Sequence, residues 1–209
     1  MYTEPATLPP CRFLAAGRMI LAAASLAALV ACGGNEADAG ESRDAGGSTE
    51  FWAALQGICG GAYYGAQVEG NDTDSPFTSG ELVMHVRECS DSEIRIALQV
   101  GDDHSRTLVL ARTGSGLSLT HDQRQPDGSE HAASGYGGAT RDPGTGEWQE
   151  FHADARTAGL PPDVAAAVWT VEVVPGDMFV YAMRRDGGDR RFRLQFDLTQ
   201  PAPLPQHQD

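Results

Sequence analysis

EIRIALQV, Glu93–Val100, alternates Ile94, Ile96, Leu98 and Val100 with Arg95, Ala97 and Gln99. Successive side chains of an extended chain point to opposite faces, so this period of two marks a strand with one face toward a core and one toward water. The stretches on either side, CSDSE (Cys89–Glu93) and GDDHS (Gly101–Ser105), are compact clusters of turn formers. Such clusters join antiparallel neighbours. Outward from them the alternation resumes in ELVMHVREC, SRTLVLAR and GLSLTHD, then in VWTVEVV, DMFVYAMRR and RFRLQFDL. In the last of these, Phe192, Leu194, Phe196 and Leu198 oppose Arg191, Arg193, Gln195 and Asp197.

Further turn clusters, TGSG, VPGD and RDGGD, separate these runs, and weaker strand candidates lie at Ala62–Glu69, near Gly135 and at Gln149–Ala153. The expected fold is all-β: an antiparallel meander of about 8–10 strands, a lipocalin-like barrel in preference to a sandwich. Two helical segments interrupt it. Phe51, Leu55 and Ile58 share a helical face, with Thr49 able to cap and Gly60 and Gly61 ending the turn. LPPDVAAAV, Leu160–Val168, sets a double proline before an alanine run and predicts a short helix across one end of the sheet. The folded domain is expected over 51–200, with a Pro-rich disordered tail over 201–209.

The N-terminal segment is of a different kind. Arg12 and Arg18 precede an apolar run, Met19–Val30, too short to anchor a spanning helix, which reads as an export signal over 1–31. The run ends in LVAC, Leu29–Cys32, which resembles the lipobox of bacterial lipoproteins and implies that Cys32 is lipidated. With Gly33 and no Asp after the Cys, resemblance to the bacterial sorting rule implies an outer-membrane lipoprotein facing the periplasm. The alternative is an ordinary secretory signal cleaved near Ala31. Residues 32–50 are rich in Gly, Ala, Asp and Glu and are expected to be a disordered tether.

All 15 basic residues are Arg, and setting aside Arg12, Arg18 and Glu4 leaves 13 Arg against 28 of the 29 acids, a net charge of −15. Such a surface argues against nucleic acid or anionic lipid as a partner of the folded domain. Of the four Cys, Cys11 lies in the signal and Cys32 at the lipobox, leaving Cys59 and Cys89. Two remaining thiols in an exported protein predict a disulfide.

The densest polar stretch is THDQRQPDGSEH, Thr120–His131. His121 continues the alternation of Leu117 and Leu119 and should face inward, where a polar group needs a partner. One reading makes His121 a general base with Asp122 or Asp127 as the orienting carboxylate. The plainer reading makes Pro126–Gly128 a hairpin turn with solvated charges. The spacing of Asp122, Asp127 and Glu130 matches no calcium loop, and no metal site or cofactor is expected. HExxH, GxSxG, phosphate-binding and dinucleotide motifs are missing from the sequence.

LQGICGGAYYGAQV (Leu55–Val68), HVRECSDSEIRI (His85–Ile96), the His121–Asp122 pair followed by DGSE (Asp127–Glu130), and RFRLQFDLT (Arg191–Thr199) together resemble an uncharacterised family of bacterial secreted and lipoprotein-like proteins. The likeness spans most of 51–200 and implies export, with no activity, cofactor or structure attached. Members carry a more His-rich segment where this chain has Gln123 and Gln125, a departure that speaks against metal here.

Three functions follow as expectations. The first is an exported barrel that binds a small apolar or amphipathic molecule, with Tyr64, Trp169 and Tyr181 lining the pocket and His121 and Arg95 as polar anchors. The second is a hydrolase or isomerase built on His121 with Asp122 or Asp127. The third is an envelope structural or assembly lipoprotein that meets a partner protein.

Overall fold

A computed structural model describes residues 41–204 apart from 73, 74 and 133. The expected signal and Cys32 lie outside the described residues, as does the end of the tail.

Ten strands form one closed antiparallel barrel. In chain order they are β1 (Ala62–Gly70), β2 (Leu82–Cys89), β3 (Glu93–Val100), β4 (Asp103–Thr113), β5 (Gly116–Gln123), β6 (Gly137–Ala139), β7 (Trp148–Ala153), β8 (Ala167–Val174), β9 (Met178–Arg185) and β10 (Arg191–Pro201). Each strand pairs with its neighbours in sequence, and β1 closes the ring between β2 and β10. Closure leaves no unpaired sheet edge. The alternation in the sequence sorts the two faces: Ile94, Ile96, Leu98, Leu108, Leu110, Leu119, Val171, Leu194 and Phe196 are buried in the interior. Arg95, Gln99, Glu172 and Arg193 take the intervening positions, and Arg193 Nη2 bonds Glu172 Oε2 at 2.9 Å across the outer wall. This pattern is the reverse of a membrane-spanning barrel, whose apolar band faces outward.

One end of the barrel is plugged by α1 (Glu41–Gly57). Phe51, Trp52 and Leu55 are wholly buried among the strand side chains, and each such burial contributes roughly 1.5–3 kcal/mol. The Arg112 guanidinium, at the end of β4, covers the Trp52 ring from 5.2 Å. A Cys59–Cys89 disulfide ties the turn that follows the helix to the end of β2, as the cysteine count predicts. Gly60, at φ 79°, makes the turn from helix to β1.

Three boundaries differ from those the sequence implies. The helix begins at Glu41, inside the stretch expected as tether, because a helix whose last turns are anchored adds one hydrogen bond for each further residue. Gly47 lies where an added Cβ would meet the carbonyl oxygens of Pro143 and Gly144 at 3.3 and 3.2 Å, so the helix rests directly on that loop. At the other end of the barrel, α2 is only Pro162–Ala165, since Ala167 and Val168 are already paired with Arg185 and Arg184 on β9. Finally, β10 continues to Pro201 and Ala202 N donates to Ala62 O at 2.8 Å, so the sheet takes in the start of the expected tail. Ladder pairing needs only backbone groups, which hydropathy does not register.

Candidate ligand-binding site

The end of the barrel opposite the helix holds a cavity of about 160 Å³. An engineered apolar cavity of about 150 Å³ holds benzene. The space therefore suits a molecule on the scale of one ring and is far too small for a long acyl chain. Its floor is aromatic: His121 from β5, Trp169 from β8, Tyr181 from β9 and Tyr136 from the loop before β6 all meet there. The His121 ring stacks on Tyr136 with centroids 4.2 Å apart and planes 8° from parallel, and it lies 5.1 Å from Trp169.

His121 is 6% exposed and its hydrogen bonds define its state. Nδ1 lies 3.1 Å from the Tyr136 carbonyl oxygen, which can only accept, so Nδ1 carries the proton. Nε2 then accepts from the Tyr181 hydroxyl at 2.6 Å. Burial pushes the His121 pKa down to about 4 against a raising contribution from the Tyr136 carbonyl, and the ring is neutral at pH 7. Burial also holds the Tyr181 phenol well above its ordinary range.

Tyr136 reaches the cavity because the chain around it is glycine. Gly135 sits at φ 79°. A Cβ on Gly137 would run into the Leu119 carbonyl oxygen, and one on Gly138 into that of His152. The three-residue β6 thus lies closer to β5 and β7 than any side chain allows. Thr157, wholly buried, locks it further: its Oγ1 accepts from Gly137 N and donates to Gly137 O, both at 2.7 Å.

The mouth is lined differently. A 3₁₀ turn, Pro76–Thr78, places Phe77 over the opening, 5.1 Å from the Phe192 ring. Arg106 faces inward from β4, opposite Leu98 of β3, and its guanidinium lies 5.8 Å from the Phe77 ring. Arg106 Nη1 pairs with Asp103, and Arg190 Nη2 bonds Asp72 Oδ2 at 3.1 Å. Burial raises the Tyr136 phenol, opposed by the charges of Arg106 and Arg190.

The expected site residues separate into two groups. His121, Trp169 and Tyr181 converge on the cavity. Asp122 does not join His121: adjacent residues of one strand face opposite ways, and Asp122 lies on the outer wall, bonded to Arg95 Nη2 at 2.8 Å and to Arg124 Nε at 2.6 Å. The Arg124 hydrogen bond holds its carboxyl below the usual carboxylate range. Asp127 sits in the exposed hairpin turn and accepts from Ser129 N at 2.9 Å and Ser129 Oγ at 2.6 Å. Arg95 shares the outer face with Asp122, so it is not a polar anchor of the cavity. Tyr64 pairs with Val83 while Tyr63 pairs with the buried Met84, which puts Tyr64 on the outside as well.

Tyr136, Arg106 and Phe77 line the cavity but are not among the site residues expected from the sequence. Arg106 was legible, since it lies two residues before Leu108 on the inward face of SRTLVLAR. Tyr136 and Phe77 come from loops, where no period assigns a direction. Among the described residues, no group of three or more His, Cys, Asp or Glu is placed to hold a metal, and no helix is long and apolar enough to cross a membrane. Comparison with protein-family models, curated proteins and solved structures returns no match.

Proposed function

We propose that this protein is an exported, lipid-anchored binding protein whose barrel takes up a small apolar or amphipathic molecule at its open end. One observation carries the reading: a cavity of about 160 Å³ remains between an aromatic floor and a partly charged mouth, in a barrel whose opposite end is filled by wholly buried helix side chains. A structural barrel would gain stability by filling that space, because a void forfeits the dispersion contacts of its lining. Among the described residues no carboxylate pairs with His121, whose ring nitrogens meet the Tyr136 carbonyl and the Tyr181 hydroxyl, the latter a phenol held in its neutral form. A His–Asp hydrolase or isomerase has no support in that arrangement. Export and lipidation at Cys32 rest on the lipobox resemblance.

Native mass spectrometry on the full chain carrying Cys32→Ala, secreted to a periplasm and purified without detergent, tests the reading. The expected result is a bound small-molecule mass that Trp169→Ala removes. A bare protein mass, together with no thermal stabilisation by any member of a panel of single-ring compounds, would overturn it.

A further inference from the structure

Two polar groups that line the cavity are under-used by the fold, one at its mouth and one at its floor. The Arg106 side chain is 23% exposed, yet among the described residues only its Nη1 is hydrogen-bonded, by Asp103, which leaves the N–H groups of Nε and Nη2 without a protein acceptor there. Tyr136 is half-buried, its ring held by the His121 stack and its backbone carbonyl by His121 N and Nδ1. No hydrogen bond among the described residues reaches its hydroxyl. The Arg106 charge is a smaller influence opposing the burial that raises the Tyr136 and Tyr181 phenols, which places the guanidinium within electrostatic reach of the apolar chamber.

A planar guanidinium that presents two N–H groups in a fork matches a carboxylate, which can accept both at once. The chamber below, floored by His121, Trp169 and Tyr181 with Phe192 nearer its mouth, suits an apolar ring. We propose that the ligand is a single-ring aromatic carboxylate, its ring in the aromatic chamber and its carboxylate on Arg106 Nε and Nη2 with the Tyr136 hydroxyl as a third donor. This assignment rests on the binding reading above and narrows it to one charge and one size. The pairing also supplies an acceptor to guanidinium donors on a side chain that is mostly withdrawn from water.

Isothermal titration of the full-length Cys32→Ala protein with benzoate, benzyl alcohol and benzylamine at pH 7 separates the two claims, because the probes share a ring and differ in charge. Benzoate is expected to bind at least ten-fold more tightly than benzyl alcohol, with benzylamine weakest. Arg106→Gln should weaken benzoate at least ten-fold more than it weakens benzyl alcohol. Tyr136→Phe, which keeps the stack and removes one donor, should weaken benzoate roughly three- to ten-fold, and it keeps the test decisive if Arg106→Gln does not fold. Equal affinity for benzoate and benzyl alcohol overturns the anion assignment and leaves the binding reading standing. Silence from every probe while a copurified mass is present has the same effect. Failure of all three probes with a bare native mass overturns both.

Discussion

Tyr181 Oη on β9 lies 2.6 Å from His121 Nε2 on β5, and this bond across the barrel holds His121 as the neutral Nδ1–H tautomer. A pKa lowered from 6.5 to about 4 means that the folded state resists protonation while the unfolded chain accepts it. The resulting stabilisation is complete above pH 6.5 and is lost as pH falls from there toward 4, with a magnitude of roughly 3 kcal/mol. Urea unfolding at pH 7.5 and 4.5 should therefore show a larger acid loss in the wild type than in His121→Gln, and the difference cancels the shared carboxylate titrations. Parallel curves would contradict a buried neutral His121.

Removing the hydroxyl in Tyr181→Phe leaves His121 Nε2 as a buried acceptor without a partner. The expected cost is about 1–3 kcal/mol at pH 7. It should appear as a lower urea midpoint with an unchanged slope.

The outer and inner walls predict opposite mutational sensitivity. Arg95→Gln breaks its bonds to Asp122 and Glu93 on the outer wall, a partly exposed network, and should cost less than about 1 kcal/mol. It should leave affinity for a single-ring ligand within two-fold. Trp169→Ala, on the cavity floor, should weaken the same ligand at least ten-fold, equivalent to about 1.4 kcal/mol. Titration calorimetry on both variants checks the contrast.

Gly137→Ala places a methyl group against the Leu119 carbonyl oxygen and must push β6 away from β5. The expected destabilisation is about 1–3 kcal/mol, in line with overpacking elsewhere. Gly114→Ala, at a hairpin position with nothing within 4 Å of the added methyl, should be close to neutral. Thermal denaturation of the pair separates steric contact from a general intolerance of alanine.

Reducing the Cys59–Cys89 bond, which closes a segment with a sequence separation of 30, should cost roughly 3–4 kcal/mol in the chain-entropy account. Because the bond joins the end of the plug helix to β2, the loss should appear first as hydrogen-exchange exposure of Phe51–Ile58. Cys59→Ser with Cys89→Ser should reproduce it.

Much of the wall of this barrel is written in the sequence. Period two in Glu93–Val100 and its counterparts decides which residues face the core, and a direction that depends on one residue's neighbours in the chain can be read from the chain. The same logic puts His121 inside. Applied one residue further it puts Asp122 outside, and Arg95 with it, since strict alternation forbids the His121–Asp122 pair. The cysteines likewise identify their own partner by elimination.

Tertiary structure alone decided the site and the ends. Closure of the ring brings β5 against β9 only through the interior, so the Tyr181–His121 bond spans 60 residues of sequence with no pattern to announce it. Tyr136 and Phe77 enter the cavity from loops, where direction is set by what the loop packs on. The start of α1 at Glu41 depends on the anchorage of Phe51 and Trp52 in the barrel, a contact that local propensity does not contain. Local rules dictate faces; the meeting of faces across a closed barrel dictates which side chains share a cavity.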